Sequence, residues 1–184
     1  FGAELREPGK VFVSVWADAV LLGGPSSDKG VAETTSLAGE LTRCGIQTRF
    51  TPDILAALWG KVLYNCALNA LGAILNVPYG SLTHTPELMA VMYNIIREIF
   101  NVAAAKQGRL PYEDAGAYYR TLTEVQLPPT AQHRSSMLQD MRKGSRLTEI
   151  DALNGAISRY GRESGVPTPV NDVLTAIIKG FQKS

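Results

Sequence analysis

Lys61, Asn65 and Asn69 fall at i, i+4 and i+8 within Trp59-Gly-Lys-Val-Leu-Tyr-Asn-Cys-Ala-Leu-Asn69, a spacing that stacks an ammonium and two amides on one side of a helix. Leu58, Trp59, Val62, Leu63, Cys66, Leu68 and Leu71 surround that stripe with apolar surface, so the helix calls for burial. Buried ammonium and amide groups are costly without partners. A lysine beside a cleft can bind a carboxylate, or donate a proton to an oxygen that is becoming an alkoxide. The competing reading is a lysine that lays its stem on apolar surface and keeps its head in water. The amides can line a pocket or bond structural backbone. The stripe raises the question of a site without naming its substrate.

Glu149 and Asp151 flank Ile150 where a helix should start, and the unpaired amides of a helix N-terminus stabilise acids there without any catalysis. The Ser135-Ser136 pair could hold an anion or cap a helix. His84 and His133 are isolated, with no second ligand at metal spacing and no Ser/His/Asp order, which argues against a metal site and against acyl transfer. Gly23-Gly24 lacks the GxGxxG spacing of a dinucleotide loop.

The elements that must position these groups divide at residue 50. In 1–50, Glu4-Leu5, Val11 to Val15 and Ala19 to Leu22 read as two or three short antiparallel strands, turning at Pro8-Gly9 and Ala17-Asp18 and stopping at Gly23-Gly24-Pro25-Ser26-Ser27. A helix from about Asp28 to Arg43 follows, closed by Cys44-Gly45, with an extended segment from Ile46 to Phe50. Throughout 51–184 the pattern is helical. Thr51-Pro52, Thr85-Pro86 and Thr168-Pro169 each place a capping hydroxyl before a proline and predict helices over 52–75, 86–107 and 169–182. Gly60 and Gly72 inside the first of these suggest a kink or a packing constraint. Pro111 is expected to open a helix towards Glu124, a further segment spans His133 to Met141, and Gly144-Ser145 introduces a long helix through Arg162 with Ile150, Leu153, Ile157 and Tyr160 on its buried face.

Eighteen basic against seventeen acidic residues give a net charge of +1 in 184 residues, which excludes bulk attraction to nucleic acid or to an anionic membrane as the organising interaction. Cys44 and Cys66 read as buried, reduced thiols, which favours a reducing, cytoplasmic setting. No apolar run reaches about 18 residues and no signal segment is recognisable. The chain opens on Phe1 rather than methionine and reads as part of something longer.

The stretch Trp59 to Gly80, then Ser135-Ser-Met-Leu-Gln-Asp-Met-Arg-Lys-Gly-Ser-Arg-Leu-Thr-Glu-Ile-Asp-Ala-Leu-Asn-Gly155 and Gly165-Val-Pro-Thr-Pro-Val-Asn171, resemble in order and spacing the C-terminal domain of ketopantoate reductases (2-dehydropantoate 2-reductases). Phe1 to Lys10 is similar to the segment that follows that family's cofactor-binding core. The resemblance implies a mainly α fold, the helical 6-phosphogluconate dehydrogenase C-terminal-like type. Residues 1–50 would be a small antiparallel β remnant and helix at the edge of a Rossmann domain, and 51–184 the substrate-side domain. It implies NADPH as cofactor, bound mainly by the missing domain, and reduction of 2-dehydropantoate to (R)-pantoate in pantothenate and coenzyme A biosynthesis. Lys61 falls on the family's general acid, Glu149 on the residue holding the substrate's hydroxyl end, Asn65 and Asn69 on residues lining the substrate, and Ser136 on a contact to its carboxylate. No metal is implied.

Two departures qualify the likeness. Tyr79 stands in Pro78-Tyr79-Gly80 where well-known members carry Pro-Asn-Gly, and a phenol there should move the donor outward from the substrate. The dinucleotide fingerprint is absent from these residues, so the isolated chain should neither catalyse nor hold NADPH. A reductase of another branched 2-keto acid and a helical interaction module without chemistry stay open as alternatives. An open strand edge also makes a homodimer an allowed assembly.

Overall fold

The computed structural model describes residues 2–15, 18–24, 30–142 and 148–182. They form two compact units, Phe1–Leu58 and Trp59–Ser184.

In the first unit, β1 (Gly2–Glu7) and β2 (Lys10–Val15) make an antiparallel hairpin. Its turn rests on Gly9, whose φ of 79° is costly for any residue with a Cβ. The expected antiparallel continuation is corrected at β3 (Val20–Leu22), which pairs in parallel with β4 (Thr48–Phe50), Val20 opposite Thr48 and Leu22 opposite Phe50. Parallel neighbours need a crossover, and α1 (Val31–Arg43) provides it. Thr42 at the end of α1 pins the return: its hydroxyl donates to the Thr48 carbonyl at 2.9 Å and accepts from the Thr48 amide at 3.0 Å. Cys44 caps α1 and is exposed, against the expectation of a buried thiol, whereas Cys66 is buried. The expected turn residue Ala17 and the expected stop and helix start at Pro25 to Asp28 lie outside the described residues.

In the chain order that follows come α2 (Ile54–Leu75), α3 (Pro86–Ala105), α4 (Ala115–Thr121), α5 (Ser136–Arg142), α6 (Asn154–Ser164) and α7 (Pro169–Phe181). Of the three Thr-Pro caps only Thr85 acts as read, accepting from the Leu88 amide at 3.3 Å. At α2 the Thr51 hydroxyl accepts from the Asp53 amide at 3.3 Å, while Asp53 Oδ1 accepts from the Ala56 amide at 3.1 Å. The carboxylate therefore takes over the cap and the helix starts later than the threonine implied. At α7 the Thr168 side chain makes no capping bond. The cap comes from another helix: Glu98 of α3 accepts from the amides of Val170 at 2.9 Å and Asn171 at 3.0 Å.

Pro111 does not open α4. Asp114 does, accepting from the Ala117 amide at 2.7 Å, and the helix continues as a π turn, Leu122–Gln126. The long helix expected from Gly144 to Arg162 is interrupted. A 3-10 turn, Glu149–Asp151, precedes α6, and Leu153 between them has φ −104° and ψ −107°, outside helical space. Gly144 to Leu147, including the Gly144-Ser145 pair expected to introduce that helix, lie outside the described residues. Ile150, Leu153 and Ile157 are buried as read, but Tyr160 is exposed.

The core of the second unit gathers Leu63, Leu68, Ile95, Ile96, Ile99, Tyr118, Leu122 and Ile150, all fully buried. Burial of each aliphatic side chain contributes roughly 1.5–3 kcal/mol. By length and composition α2 and α3 are apolar enough to cross a bilayer, which the reading of apolar runs did not anticipate. In the fold they supply much of this core. α2 runs unbroken through Gly60 and Gly72. A Cβ on Gly72 would stand 3.4 Å from the Tyr79 ring, so that glycine marks a packing contact rather than a kink.

Candidate active site

Along α2 the polar stripe runs from solvent to core: Lys61 is exposed, Asn65 half-buried, and Asn69 is 3% exposed. Lys61 and Asn65 have no side-chain hydrogen bond or ion pair among the described residues, whereas Asn69 accepts one from Tyr79. The outer two groups thus remain available to a ligand while the inner amide is committed to structure.

The Ser135-Ser136 pair divides its labour. Ser135 is fully buried and caps α5, its Oγ accepting from the Leu138 amide at 3.0 Å. Ser136 is exposed at the first position of α5, with no partner among the described residues. Glu149 is likewise exposed and without a partner among the described residues. It sits on the 3-10 turn that Thr148 caps by accepting from the Ile150 amide at 3.3 Å. Its neighbour Asp151 pairs with Lys179 at 2.5 Å, so of the two acids only Glu149 is left for a ligand.

Two ties draw the two signatures together. At the end of α2, Asn76 turns back with φ 56°, its carbonyl accepting from Arg134 at 2.9 Å and its Oδ1 from Arg142 at 2.5 Å. Those arginines bracket Ser135 and Ser136. In mid-helix, the Cys66 carbonyl accepts from Asn154 Nδ2 at 3.2 Å. That bond fastens the start of α6, just past the Glu149 turn, to the residue that follows Asn65. Sequence reasoning singled out none of Asn76, Asn154 or Asn171, and the mixed charge of Arg97-Glu98 reads as a solvated helix face, which is corrected here: Glu98 is 4% exposed because it turns inward to cap α7. The available signal was polarity at core positions: Asn154 shares a helical face with Ile150 and Ile157, yet is fully buried.

Tyr79 lies inward, not outward. It is 2% exposed and its hydroxyl donates to Asn69 Oδ1. Its 3-10 turn, Tyr79–Thr83, is held by two backbone bonds, from the Tyr79 amide to the His133 carbonyl at 3.0 Å and from the Gly80 amide to the Ala131 carbonyl at 2.9 Å. That approach favours glycine, because a Cβ on Gly80 would crowd Ala131, at 3.0 Å from its Cβ and 3.2 Å from its carbonyl oxygen. The Tyr79 ring stands edge-on to Tyr64 and packs against His133. Burial, with the neighbouring Tyr64 adding to it, pushes the Tyr79 phenol well above its ordinary range and keeps it a neutral donor. Burial lowers His133 from its ordinary 6.5, and it raises the Cys66 thiol far above its usual range, which leaves that sulfur unreactive. Among the described residues no three His, Cys, Asp or Glu side chains gather as a metal site.

An exposed ammonium, a half-buried amide, a serine hydroxyl and a carboxylate, none of them paired among the described residues, thus stand on elements tied to one another by these hydrogen bonds. Residues 53–182 match the family described as ketopantoate reductase PanE/ApbA, C terminal. The 2-dehydropantoate 2-reductase of Aquifex aeolicus is 41% identical over 181 residues, covering 97% of this chain and 57% of that protein. Its counterpart in Archaeoglobus fulgidus is 30% identical over 183 residues, covering 99% of this chain and 58% of that protein. Among solved structures, a PanE/ApbA family ketopantoate reductase from Ralstonia eutropha aligns with a TM-score of 0.82 at 31% identity, over 99% of this chain and 57% of that one. D-mandelate dehydrogenase in a ternary structure with NADH and anilino(oxo)acetate aligns with a TM-score of 0.86 at 32% identity, over 99% and 58%. The chain belongs to the ketopantoate reductase family and carries its C-terminal domain. It spans somewhat over half the length of the relatives it matches.

Proposed function

We propose that this chain is the substrate-side part of an NADPH-dependent 2-dehydropantoate 2-reductase, with 51–184 as the substrate domain and 1–50 at the edge of a cofactor-binding domain that lies outside these residues. The observation that carries the reading is the Asn154–Cys66 bond, which ties the segment bearing Glu149 to the helix bearing Lys61 and Asn65. The residues described do not fit a dinucleotide site: no glycine-rich strand-to-helix turn has the fingerprint spacing. When bound by the other domain, NADPH supplies the hydride that reaches C2 of the keto acid; no step below depends on its placement.

Ser136 holds the substrate carboxylate, Asn65 orients the keto acid, and Glu149 receives the hydroxyl end. As C2 becomes tetrahedral, negative charge builds on the keto oxygen. The Lys61 ammonium hydrogen-bonds that oxygen and gives it a proton, leaving a neutral amine that solvent reprotonates. An ammonium fixed on a helix opposes the developing charge without reorganising, and that acts on the transition state more than on the bound substrate.

A second reading keeps the chemistry and changes the acid. Tyr79 is committed to Asn69, which withdraws two groups from a hydroxylated substrate and favours a 2-keto acid without that hydroxyl. The structural likeness to a mandelate enzyme lends support to this. Steady-state kinetics of the intact enzyme with NADPH, comparing 2-dehydropantoate with 2-oxoisovalerate and phenylglyoxylate, tests both. Turnover of none of them would leave a helical domain without this chemistry.

A further inference from the structure

Glu98, Asn171 and Asn154 form a buried polar chain that begins at the carboxylate capping α7, runs on beyond that cap to α2, and is not used by the proposed chemistry. Glu98 is 4% exposed, and Asn154 and Asn171 are fully buried. Glu98 Oε2 accepts from Asn171 Nδ2 at 2.7 Å, Asn171 Oδ1 accepts from Asn154 Nδ2 at 2.9 Å, and the same Nδ2 donates its other hydrogen to the Cys66 carbonyl at 3.2 Å. A carboxylate only accepts. It therefore turns the Asn171 amide group towards itself, which turns the Asn171 oxygen towards Asn154, which in turn aims the Asn154 donors at α2. One acid on α3 thus sets the orientation of a bond made on α2.

Stability alone does not favour the Asn154 end of this chain. Among the described residues Asn154 Oδ1 has no hydrogen-bond partner, nor has Ser158 Oγ one turn further along the same helix. A buried polar atom left unpaired is unfavourable, and an apolar side chain of similar volume often serves a core as well or better. What the chain does provide is direction. Asn154 is the first residue of α6, immediately after the off-helix Leu153. Its bond to α2 fixes the angle at which the Glu149–Asp151 turn leaves the core.

We propose that Asn154 is a positioning residue, oriented by Glu98 through Asn171, which holds the Glu149 turn against α2 so that Glu149 meets the substrate engaged by Lys61 and Asn65. This rests on the function proposed above. Asn154 touches no substrate and acts only through the turn.

The test is Asn154→Leu in the intact enzyme, with Glu98→Gln as a second variant that leaves Asn154 in place and replaces the acceptor-only carboxylate at the root of the chain by an amide that no longer dictates one orientation. Both should lower kcat with the accepted 2-keto acid at least tenfold and raise its KM, leave the NADPH dissociation constant within twofold, and speed hydrogen exchange at the amides of residues 150–153. Ser158→Ala should change none of these. A folded Asn154→Leu enzyme with kcat within twofold of wild type overturns the proposal. Should Asn154→Leu fail to fold, unchanged kcat in Glu98→Gln overturns it equally. If the wild-type enzyme reduces no 2-keto acid, the functional reading has failed, and exchange at 150–153 decides the anchoring by itself: faster exchange in Glu98→Gln supports it, and unchanged exchange overturns it.

Discussion

Asn69, the innermost amide of the α2 stripe, accepts a hydrogen bond from the hydroxyl of Tyr79, and both residues are buried. A position on the loop after α2 is thereby locked to the helix that precedes it. The lock joins three features: the Gly72 backbone against which the ring packs, the Gly80 backbone that approaches Ala131 closely, and the amide at 69 that receives the hydroxyl.

Removing the hydroxyl isolates the amide. Tyr79→Phe should destabilise the protein by about 1–3 kcal/mol, because it leaves Asn69 Oδ1 buried without its donor. Equilibrium urea denaturation with an unchanged m-value measures this. A shift of the midpoint too small to resolve would mean that water replaces the phenol.

Lys61→Ala in the intact enzyme should lower kcat by roughly 10²-fold or more while NADPH affinity stays close to wild type, since a fixed acid acts chiefly on the transition state. Glu149→Ala should raise the KM for the keto acid as well. A merely solvated lysine predicts a change below about threefold, in line with the small effects of ordinary surface substitutions. Steady-state kinetics with cofactor and keto acid varied separately distinguish the two.

The helices and the polar stripe on α2 were legible because periodicity and short motifs are local. Lys61 and Asn65 needed only i, i+4 spacing to fall on one face, and Ser136 is a candidate through a familiar order of residues alone. What was missed is what distant chain segments do to one another. Thr168 before Pro169 looks like a cap, but the Glu98 side chain reaches the amides of Val170 and Asn171 from α3 and displaces it. β3 looked antiparallel because alternation cannot report its partner, which α1 brings round in parallel. The phenol of Tyr79 seemed too long for its site, since the space beside Gly72 is a property of the packed pair and not of either residue.

His133 gives the fold an acid-side weakness. Burial disfavours its imidazolium, so its folded-state pKa lies below the ordinary 6.5. Between those two values the unfolded chain binds more protons than the folded one, and stability must fall as pH falls. The contribution is complete above the unfolded value and is lost as pH drops through 6.5 towards the folded value. His133→Gln should flatten that part of the stability profile, measured by denaturant midpoints from pH 7.5 down to 5. An unchanged slope in the variant would assign the acid sensitivity to other groups.

Under the proposed function, the choice between keto acids is assigned to Tyr79. Its hydroxyl is spent on Asn69, and burial keeps the phenol neutral, so it remains a donor to that amide across the working pH range. A substrate with a terminal hydroxyl, as 2-dehydropantoate has, finds neither group free, whereas 2-oxoisovalerate loses nothing. Tyr79→Asn would release Asn69 and vacate the volume beside Gly72. The ratio of kcat/KM for 2-dehydropantoate over that for 2-oxoisovalerate should then rise about tenfold, equivalent to about 1.4 kcal/mol, the scale of a single hydrogen bond to a substrate hydroxyl. Tyr79→Phe should move the ratio less, because it frees Asn69 without opening space. If both keto acids gain or lose equally in Tyr79→Asn, the Tyr79–Asn69 pair supports the fold without reading the substrate, and discrimination falls to Glu149.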